Sequence, residues 1–234
     1  MRHIRQLAAV LAATSVGFVA TTVCAPGAAI ASPARAASAD GGRHGGYVAY
    51  NNTFSSASAT WTQPAVTCTN PADFYSPWVG INSATTVEQV GVSTNCRSGS
   101  PVSQAWYEMY PAPAVYLSLA DYPVSSGDSF HGAVAYNGGP TYTLTLSNTT
   151  RGWTYSTVQI ATTVSNPAVA ASIESQAGRF PNFGSITFSE VTANGLPIGS
   201  FDTIAYDPSA NGVTQASTST LRGGTEFTIT YLHG

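Results

Sequence analysis

The sequence contains no lysine and few charged residues of any kind. Charged residues make up 8% of its 234 positions, and all eight basic residues are arginines. We predict no nucleic-acid partner, because phosphate binding needs clustered basic groups. A chain with few carboxylates also has few native ion pairs to lose when the pH falls, so acid costs it little stability.

Cysteine is nearly as scarce, with three residues in the chain. Cys24 falls in the N-terminal segment, which leaves Cys68 and Cys96. In an exported protein an even pair predicts a disulfide. The bridge would close a loop of about 28 residues and stabilise the fold by ~3–4 kcal/mol on the chain-entropy model. We predict no metal site, because no other cysteine is available and the later histidines lie far apart in sequence.

Residues 1–36 have the pattern of a secretory signal peptide. Arg2 and Arg5 form a positive start, an apolar run follows from Leu7 to Val23, and small-residue cleavage patterns occur at 29–31 and 34–36. A membrane anchor is the rival interpretation, since the run approaches the roughly 18 residues that a spanning helix needs. The alanine-rich composition favours cleavage. This predicts a secreted, extracellular protein without membrane attachment, with five arginines against eleven acidic residues.

The remainder of the chain is patterned as β-structure. Runs of Val, Thr, Tyr, Ile and Phe alternate with polar residues from Gly46 onward, separated by Gly, Pro, Asn and Ser. Asn137-Gly138-Gly139 lies between two such runs and predicts a hairpin. We predict an all-β domain over residues 46–234, an antiparallel β-sandwich of two packed, roughly seven-stranded sheets that stands as a monomer. Residues 37–45 are expected to form a short flexible lead or pro-segment.

Common hydrolase motifs are missing from the sequence. It has no G-x-S-x-G elbow and no H-E-x-x-H pair. Gly127-Asp128-Ser129 has the letters of an esterase block but no helical pattern follows it. A triad that used His131 or His44 would lack a serine in a nucleophilic context. The remaining candidates for chemistry are carboxylates and amides.

The run Trp78–Pro111 carries aromatic, amide and carboxylate side chains on three strand-like pieces. Side chains alternate faces along a strand, so polar and aromatic groups fall together on one face. This arrangement predicts a groove, although Trp106 and Tyr110 could equally be core aromatics. The residues that share a face within a piece are Trp78 with Asn82, and Trp106 with Glu108 and Tyr110.

A second strand-like piece, Ala170–Gln176, contains an isolated glutamate. Its small and polar same-face neighbours indicate that Glu174 lines a groove or stands in solvent. A solvated strand glutamate is the plain alternative to a catalytic one.

Six blocks occur in order across roughly residues 46–232, and each is weakly specific alone. They are Ala59-Thr60-Trp61-Thr62-Gln63-Pro64, Trp78-Val79-Gly80-Ile81-Asn82, Glu88-Gln89-Val90-Gly91-Val92, Trp106-Tyr107-Glu108-Met109-Tyr110-Pro111, Asn182-Phe183-Gly184-Ser185-Ile186-Thr187-Phe188 and Phe227-Thr228-Ile229-Thr230-Tyr231. The ordered set resembles the glutamic peptidases, the eqolisin family of acid endopeptidases.

The resemblance implies a sandwich of two seven-stranded sheets, a catalytic glutamine–glutamate dyad, and no metal or organic cofactor. The glutamine of the family's Q-x-G-V block corresponds to Gln89. Alignment backwards from Phe183-Gly184 places the second glutamate of the A-E-W-I-V-E strand on Glu174. The first glutamate of that motif falls on Ala170 and its tryptophan on Ala171, so this strand departs most from the family.

The resemblance also implies the roles of the site residues. Glu174 takes a proton from the attacking water and returns it to the departing amine, because a carboxylate stays partly ionised in acid where an imidazole is protonated. Gln89 donates its side-chain N–H to the oxyanion, which contributes ~3–4 kcal/mol at comparable sites. We expect Gln89 and Glu174 to lie within hydrogen-bonding reach, directly or through one water.

Five further residues fill supporting positions by resemblance. Trp78 and Glu108 surround the dyad and line the substrate groove, and Trp106 and Tyr110 contact substrate side chains. Asn82 stands where the family has an aspartate. This replacement keeps a hydrogen-bonding shape but removes a charge.

These features predict a secreted acid endopeptidase that acts on polypeptides. Two alternatives stay open. An inactive, groove-bearing binding protein would explain the departures at Ala170, Ala171 and Asn82, and the short segment before the domain. A carbohydrate-binding or glycosidase sandwich would use the exposed aromatics, with Glu108 and Glu174 flanking a glycosidic bond.

Overall fold

The computed structural model describes residues 38–234, in which nearly all regular structure is β-strand. The signal-peptide prediction, residues 1–36, lies outside these residues. The described part contains one 3-10 turn, Ile198–Ser200, and no helix long and apolar enough to cross a membrane.

The strands are Ala39–Asp40 (β1), His44–Tyr50 (β2), Ser56–Thr62 (β3), Phe74–Asn82 (β4), Val87–Asn95 (β5), Val102–Tyr110 (β6), Val115–Tyr116 (β7), Ser129–Gly138 (β8), Thr141–Asn148 (β9), Trp153–Ile160 (β10), Ala168–Glu174 (β11), Ser185–Ala193 (β12), Leu196–Pro197 (β13), Asp202–Asp207 (β14), Ser209–Ala210 (β15), Val213–Thr214 (β16), Ala216–Thr218 (β17) and Phe227–Tyr231 (β18).

The strands form two large sheets, which confirms the predicted β-sandwich. The first sheet has the order β1-β14-β2-β11-β4-β5-β6-β7, and the second has the order β10-β9-β8-β3-β12-β18-β17 with β13 beside β12. Each sheet has eight strands because two-residue strands, β1, β7 and β13, extend the longer ones. Strands β15 and β16 form a separate pair. Within the first sheet only the short β1–β14 pair is parallel.

Alternation along the strands builds the core between the sheets. In β3 the residues Ala57, Ala59 and Trp61 are buried, whereas Ser58 and Thr60 between them are not. Trp61 stacks on Phe130 of the neighbouring β8, with ring centroids 5.8 Å apart. Full burial of one such large side chain contributes ~1.5–3 kcal/mol or more. The periodicity of two in the sequence is therefore the direct cause of the two-layer packing.

The predicted hairpin and disulfide are both present. Gly138 and Gly139 join β8 to β9 with φ angles of 90° and 59°, a left-handed conformation that glycine adopts without steric cost. Cys68 and Cys96 form a disulfide with a Cα–Cα distance of 5.5 Å. The bridge ties the loop before β4 to the residue after β5, so it links the ends of two strands in the centre of the first sheet.

Part of segment 37–45 differs from the flexible lead that was expected. Strand β1 pairs in parallel with β14, and the backbone N–H of Gly41 donates to the carbonyl of Asp207 at 2.8 Å. The hydroxyl of Ser209 donates to the Asp40 carboxylate at 2.6 Å. Strand β2 already begins at His44. These long-range bonds order a stretch whose glycine-rich composition resembles a linker.

Candidate active site

A groove of about 470 Å³ lies on the outer face of the first sheet. Its floor is low because strand pairing places small residues side by side. Gln89 on β5 pairs with Gly80 on β4, Gly80 pairs with Ala170 on β11, and Ala170 pairs with Val48 on β2. A Cβ atom at Gly80 would lie 2.6 Å from the Glu88 carbonyl oxygen, so only glycine fits there. Because Gly80 and Ala170 have no large side chains, the space between Gln89 and Val48 can hold an extended chain.

Gln89 and Glu108 form the central polar contact of the groove. They are directly paired across β5 and β6, and Gln89 Nε2 donates to Glu108 Oε2 at 2.5 Å. Gln89 is 5% exposed, and its Oε1 is buried with no partner in the described part of the chain. Burial raises the pKa of Glu108, the charge of Glu174 raises it further, and the hydrogen bond from Gln89 opposes both. Glu108 therefore binds a proton more readily than a free glutamate.

Glu174 lies at one end of the same groove, beside a histidine. It pairs in register with His44 on β2, and the distance from His44 Nε2 to Glu174 Oε2 is 3.6 Å. The His44 ring also meets the Trp78 ring edge-on, with centroids 6.4 Å apart. The sequence had offered His44 only as a metal or triad residue. No local signal connects it to Glu174, because the contact depends on the pairing of strands about 130 residues apart.

The structure brings Gln89 and Glu174 to one groove but does not join them by a direct hydrogen bond. The residue in the row of Gln89 is Ala170, and Glu174 is four positions further along β11, about 13 Å at the usual rise of a strand. The carboxylate that contacts the Gln89 amide is that of Glu108. The Gln89–Glu174 dyad therefore stays a prediction.

One tryptophan, Trp78, lines the groove, and a second, Trp106, packs with it on the same side of the sheet. Trp78 and Trp106 are 4% and 5% exposed and pack with Ala170 in a small cluster separate from the core between the sheets. Trp106 Nε1 donates to Ser76 Oγ at 3.1 Å, whereas Trp78 Nε1 is buried without a partner in residues 38–234. Trp106 is thus buried, but on the groove side of the sheet.

Tyr110 and Asn82 lie at the other end of the groove from Glu174. Tyr110 is 49% exposed, so it is not a core aromatic. Asn82 lines the groove, and its Oδ1 is buried with no hydrogen-bond partner among the described residues. Both side chains are available to a bound chain. In residues 38–234 no three metal-ligating side chains cluster together.

The fold places the chain in a class of two-sheet β-sandwich proteins, and solved structures of glutamic peptidases share this fold. Scytalido-glutamic peptidase bound to a transition state analog inhibitor is 22% identical, with a TM-score of 0.69 over 83% of this chain and 100% of that one. SCP-B, an eqolisin in a complex with the tripeptide Ala-Ile-His, is 21% identical, with a TM-score of 0.63 over the same shares. Aspergilloglutamic peptidase from Aspergillus niger is 26% identical, with a TM-score of 0.54 over 68% and 99%.

Residues 43–231 match the Peptidase A4 family, and the chain belongs to that family. The predicted resemblance is confirmed, and the protein is a glutamic-type endopeptidase, a hydrolase of peptide bonds in polypeptides. The family places it among peptidases and not among carbohydrate-binding or glycosidase sandwiches. No curated protein matches the chain.

Proposed function

We propose that this protein is a secreted acid endopeptidase in which Glu174 activates water and Gln89 stabilises the oxyanion. The main support is the shared location of Gln89, Glu108 and Glu174 in one groove, where the charge of Glu174 affects the pKa of Glu108. Secretion is supported by the N-terminal segment 1–36. It is tested by sequencing the N-terminus of the protein recovered from culture medium, which should begin after the signal segment.

The amide of Gln89 suits the task of an oxyanion donor. A glutamine amide has two N–H groups, and Glu108 accepts from one of them. The other N–H is free to donate to a carbonyl oxygen of a bound chain. Because the amide is already oriented, it needs no rearrangement when negative charge develops on that oxygen.

Proton transfer is assigned to Glu174. As a carboxylate it takes a proton from water while the water oxygen attacks the carbonyl carbon, and Gln89 donates to the resulting oxyanion. The protonated Glu174 then gives the proton to the amide nitrogen as the C–N bond breaks, which restores the carboxylate and releases an amine and an acid. All atoms and charges are balanced without a further reactant.

We infer an acidic working range from the raised pKa of Glu108, which burial causes and which favours the neutral form of this carboxyl group at acidic pH. Neutral Glu108 still accepts a hydrogen bond from Gln89 through its carbonyl oxygen. At higher pH Glu108 ionises and adds a negative charge to the groove.

Substrate binding is assigned to the groove walls and ends. An extended peptide would cross the row of Gly80 and Ala170, with side chains against Trp78, which Trp106 supports from within the same cluster. Tyr110 and the other exposed groups at the rim would contact residues further along the peptide.

The test is cleavage of an unfolded protein between pH 2 and pH 6 by the wild type and by Gln89→Ala and Glu174→Gln variants. We expect both changes to abolish cleavage while thermal unfolding stays cooperative. Retained cleavage in either variant would overturn the dyad. Absence of cleavage by the wild type at every pH would favour the binding-protein alternative, which the position of Ala170 beside Gly80 and Gln89 would explain.

A further inference from the structure

His44 occupies the position in the groove from which it can determine the orientation of the Glu174 carboxylate. The two residues are directly paired on β2 and β11, and His44 Nε2 lies 3.6 Å from Glu174 Oε2. Within residues 38–234, Glu174 has no other hydrogen-bonding or ion-pairing side chain next to it. The other carboxyl group that lines the groove, Glu108, cannot form an ion pair with it.

The His44 ring is itself fixed on a second side. It forms a T-shaped pair with the Trp78 ring, with ring centroids 6.4 Å apart and an interplanar angle of 83°. Trp78 is 4% exposed and is packed against Trp106 and Ala170. A ring supported by a buried tryptophan has fewer orientations than a free surface histidine, so its nitrogen can restrict the carboxylate next to it.

The backbone around His44 also favours a defined position. The following residues are Gly45 and Gly46, and Gly46 pairs with Ser172 at a close approach where an added Cβ would lie 2.3 Å from the Ala171 carbonyl oxygen. The Ser172 hydroxyl donates to the Gly45 carbonyl at 2.9 Å. Strands β2 and β11 are therefore tightly joined at this point.

We infer that His44 is a positioning residue of this peptidase, whose imidazole N–H restrains Glu174 so that one carboxylate oxygen is left for the attacking water. The inference rests on the proposed role of Glu174. Loss of such orientation lowers turnover more than substrate binding, because a misplacement of about 1 Å can cost ~100-fold in rate.

Two substitutions distinguish the effect of the His44 imidazole N–H from the effect of its aromatic ring. His44→Phe keeps an aromatic ring against Trp78 but removes the N–H, and His44→Gln keeps an N–H donor but removes the ring. We expect His44→Phe to lower kcat by about 10- to 100-fold with little change in KM. We expect His44→Gln to stay within about fivefold of the wild-type kcat. His131→Phe, on the outer face of the second sheet, is the matched control and should leave both constants unchanged.

The opposite pattern would overturn the inference. If His44→Phe keeps kcat while His44→Gln raises KM, the ring is only a wall of the substrate groove. Values of kcat within twofold of the wild type for both variants would equally overturn it. Thermal unfolding of each variant checks that the fold is intact, which is expected because the His44 side chain is 48% exposed.

A double substitution distinguishes a failure of this inference from a failure of the proposed function. If His44 acts through Glu174, adding His44→Phe to Glu174→Gln should change the residual rate by less than twofold. If His44→Phe lowers the residual rate of the Glu174→Gln variant by the same factor as it lowers the wild-type rate, His44 acts through a group other than Glu174. Wild-type activity of Glu174→Gln alone would reject the proposed base, whereas normal kcat in His44→Phe with an inactive Glu174→Gln would reject only His44.

Discussion

At the scale of single residues, the contact between Glu108 and Gln89 helps to decide between two possible roles of Glu108. It either positions the amide or itself acts on water, and both roles fit a half-buried carboxyl with a raised pKa. The direct hydrogen bond from Gln89 Nε2 favours positioning, because it already holds the carboxyl group against the amide.

Substitutions of Glu108 should therefore affect activity according to whether they keep a hydrogen-bond acceptor. Glu108→Gln retains an oxygen for Gln89 and should keep acid activity within about tenfold of the wild type. Glu108→Leu removes the acceptor, leaves the Gln89 amide unrestrained and should lower kcat by about 100-fold. The measurement is kcat and KM for a peptide substrate at acidic pH. Complete loss of activity in Glu108→Gln would instead identify Glu108 as the base.

Some of these site residues can be identified from the sequence and others cannot. Gln89 can be proposed from the ordered set of six blocks, because each block is weakly specific alone, and the alternation of side chains correctly placed Glu108 and Tyr110 on one face. Which carboxylate reaches Gln89 depends on the register of β5 with β6, and a periodicity of two leaves that register open. His44 could not be predicted, because its role exists only through the pairing of β2 with β11.

At the scale of elements, β11 determines how near a second carboxylate, beside that of Glu108, comes to Gln89. Its Ala170 lies in the row of Gln89, two strands away across Gly80, at a Cα separation of about 10 Å from the spacing of strands. A glutamate side chain at position 170 would extend over Gly80 towards the amide. The partnerless Nε1 of Trp78, which packs against Ala170, offers a donor to it.

We therefore expect Ala170→Glu to raise kcat/KM by about tenfold or more in acid, because the new carboxylate lies closer to the oxyanion donor than Glu174 does. Ala170→Gln, which has the same size and no charge, is the control for crowding against Trp78. Activity in an Ala170→Glu, Glu174→Gln double variant would show that position 170 supplies the base. Equal kcat/KM for Ala170→Glu and Ala170→Gln would contradict the expectation.

At the scale of the whole molecule, buried carboxyl groups of two kinds determine how stability depends on pH. Burial acts to raise the pKa of Asp73, but hydrogen bonds from Thr69, Asn70 and Arg179 outweigh it and lower the pKa from 3.8. Asp128 is likewise lowered by its hydrogen bonds against the effect of burial. A lowered pKa contributes stability that is present above pH 3.8 and is lost as the pH falls through the folded-state value.

Glu88 has the opposite effect. It lies on the face of β5 opposite to Gln89, is 1% exposed, and its Oε2 has no partner among the described residues. Burial raises its pKa from 4.5 to about 7. The contribution of Glu88 to the free energy of unfolding is fully present below pH 4.5 and is lost as the pH rises to about 7. The loss is about 3 kcal/mol at most. The two effects together place maximum stability near pH 4 to 4.5.

Thermal unfolding measured from pH 3 to pH 8 tests this balance. For a domain of this size, about 3 kcal/mol corresponds to a fall in Tm of about 6–12 °C between pH 4.5 and pH 7.5. Glu88→Gln removes the ionisation and should flatten that side of the profile, even if its buried amide lowers Tm at every pH. Asp121→Asn, at an exposed carboxylate, should leave the slope unchanged. If the Glu88→Gln profile falls as steeply as that of the wild type, the loss of stability towards neutral pH arises from other groups, and the core does not itself favour an acidic environment.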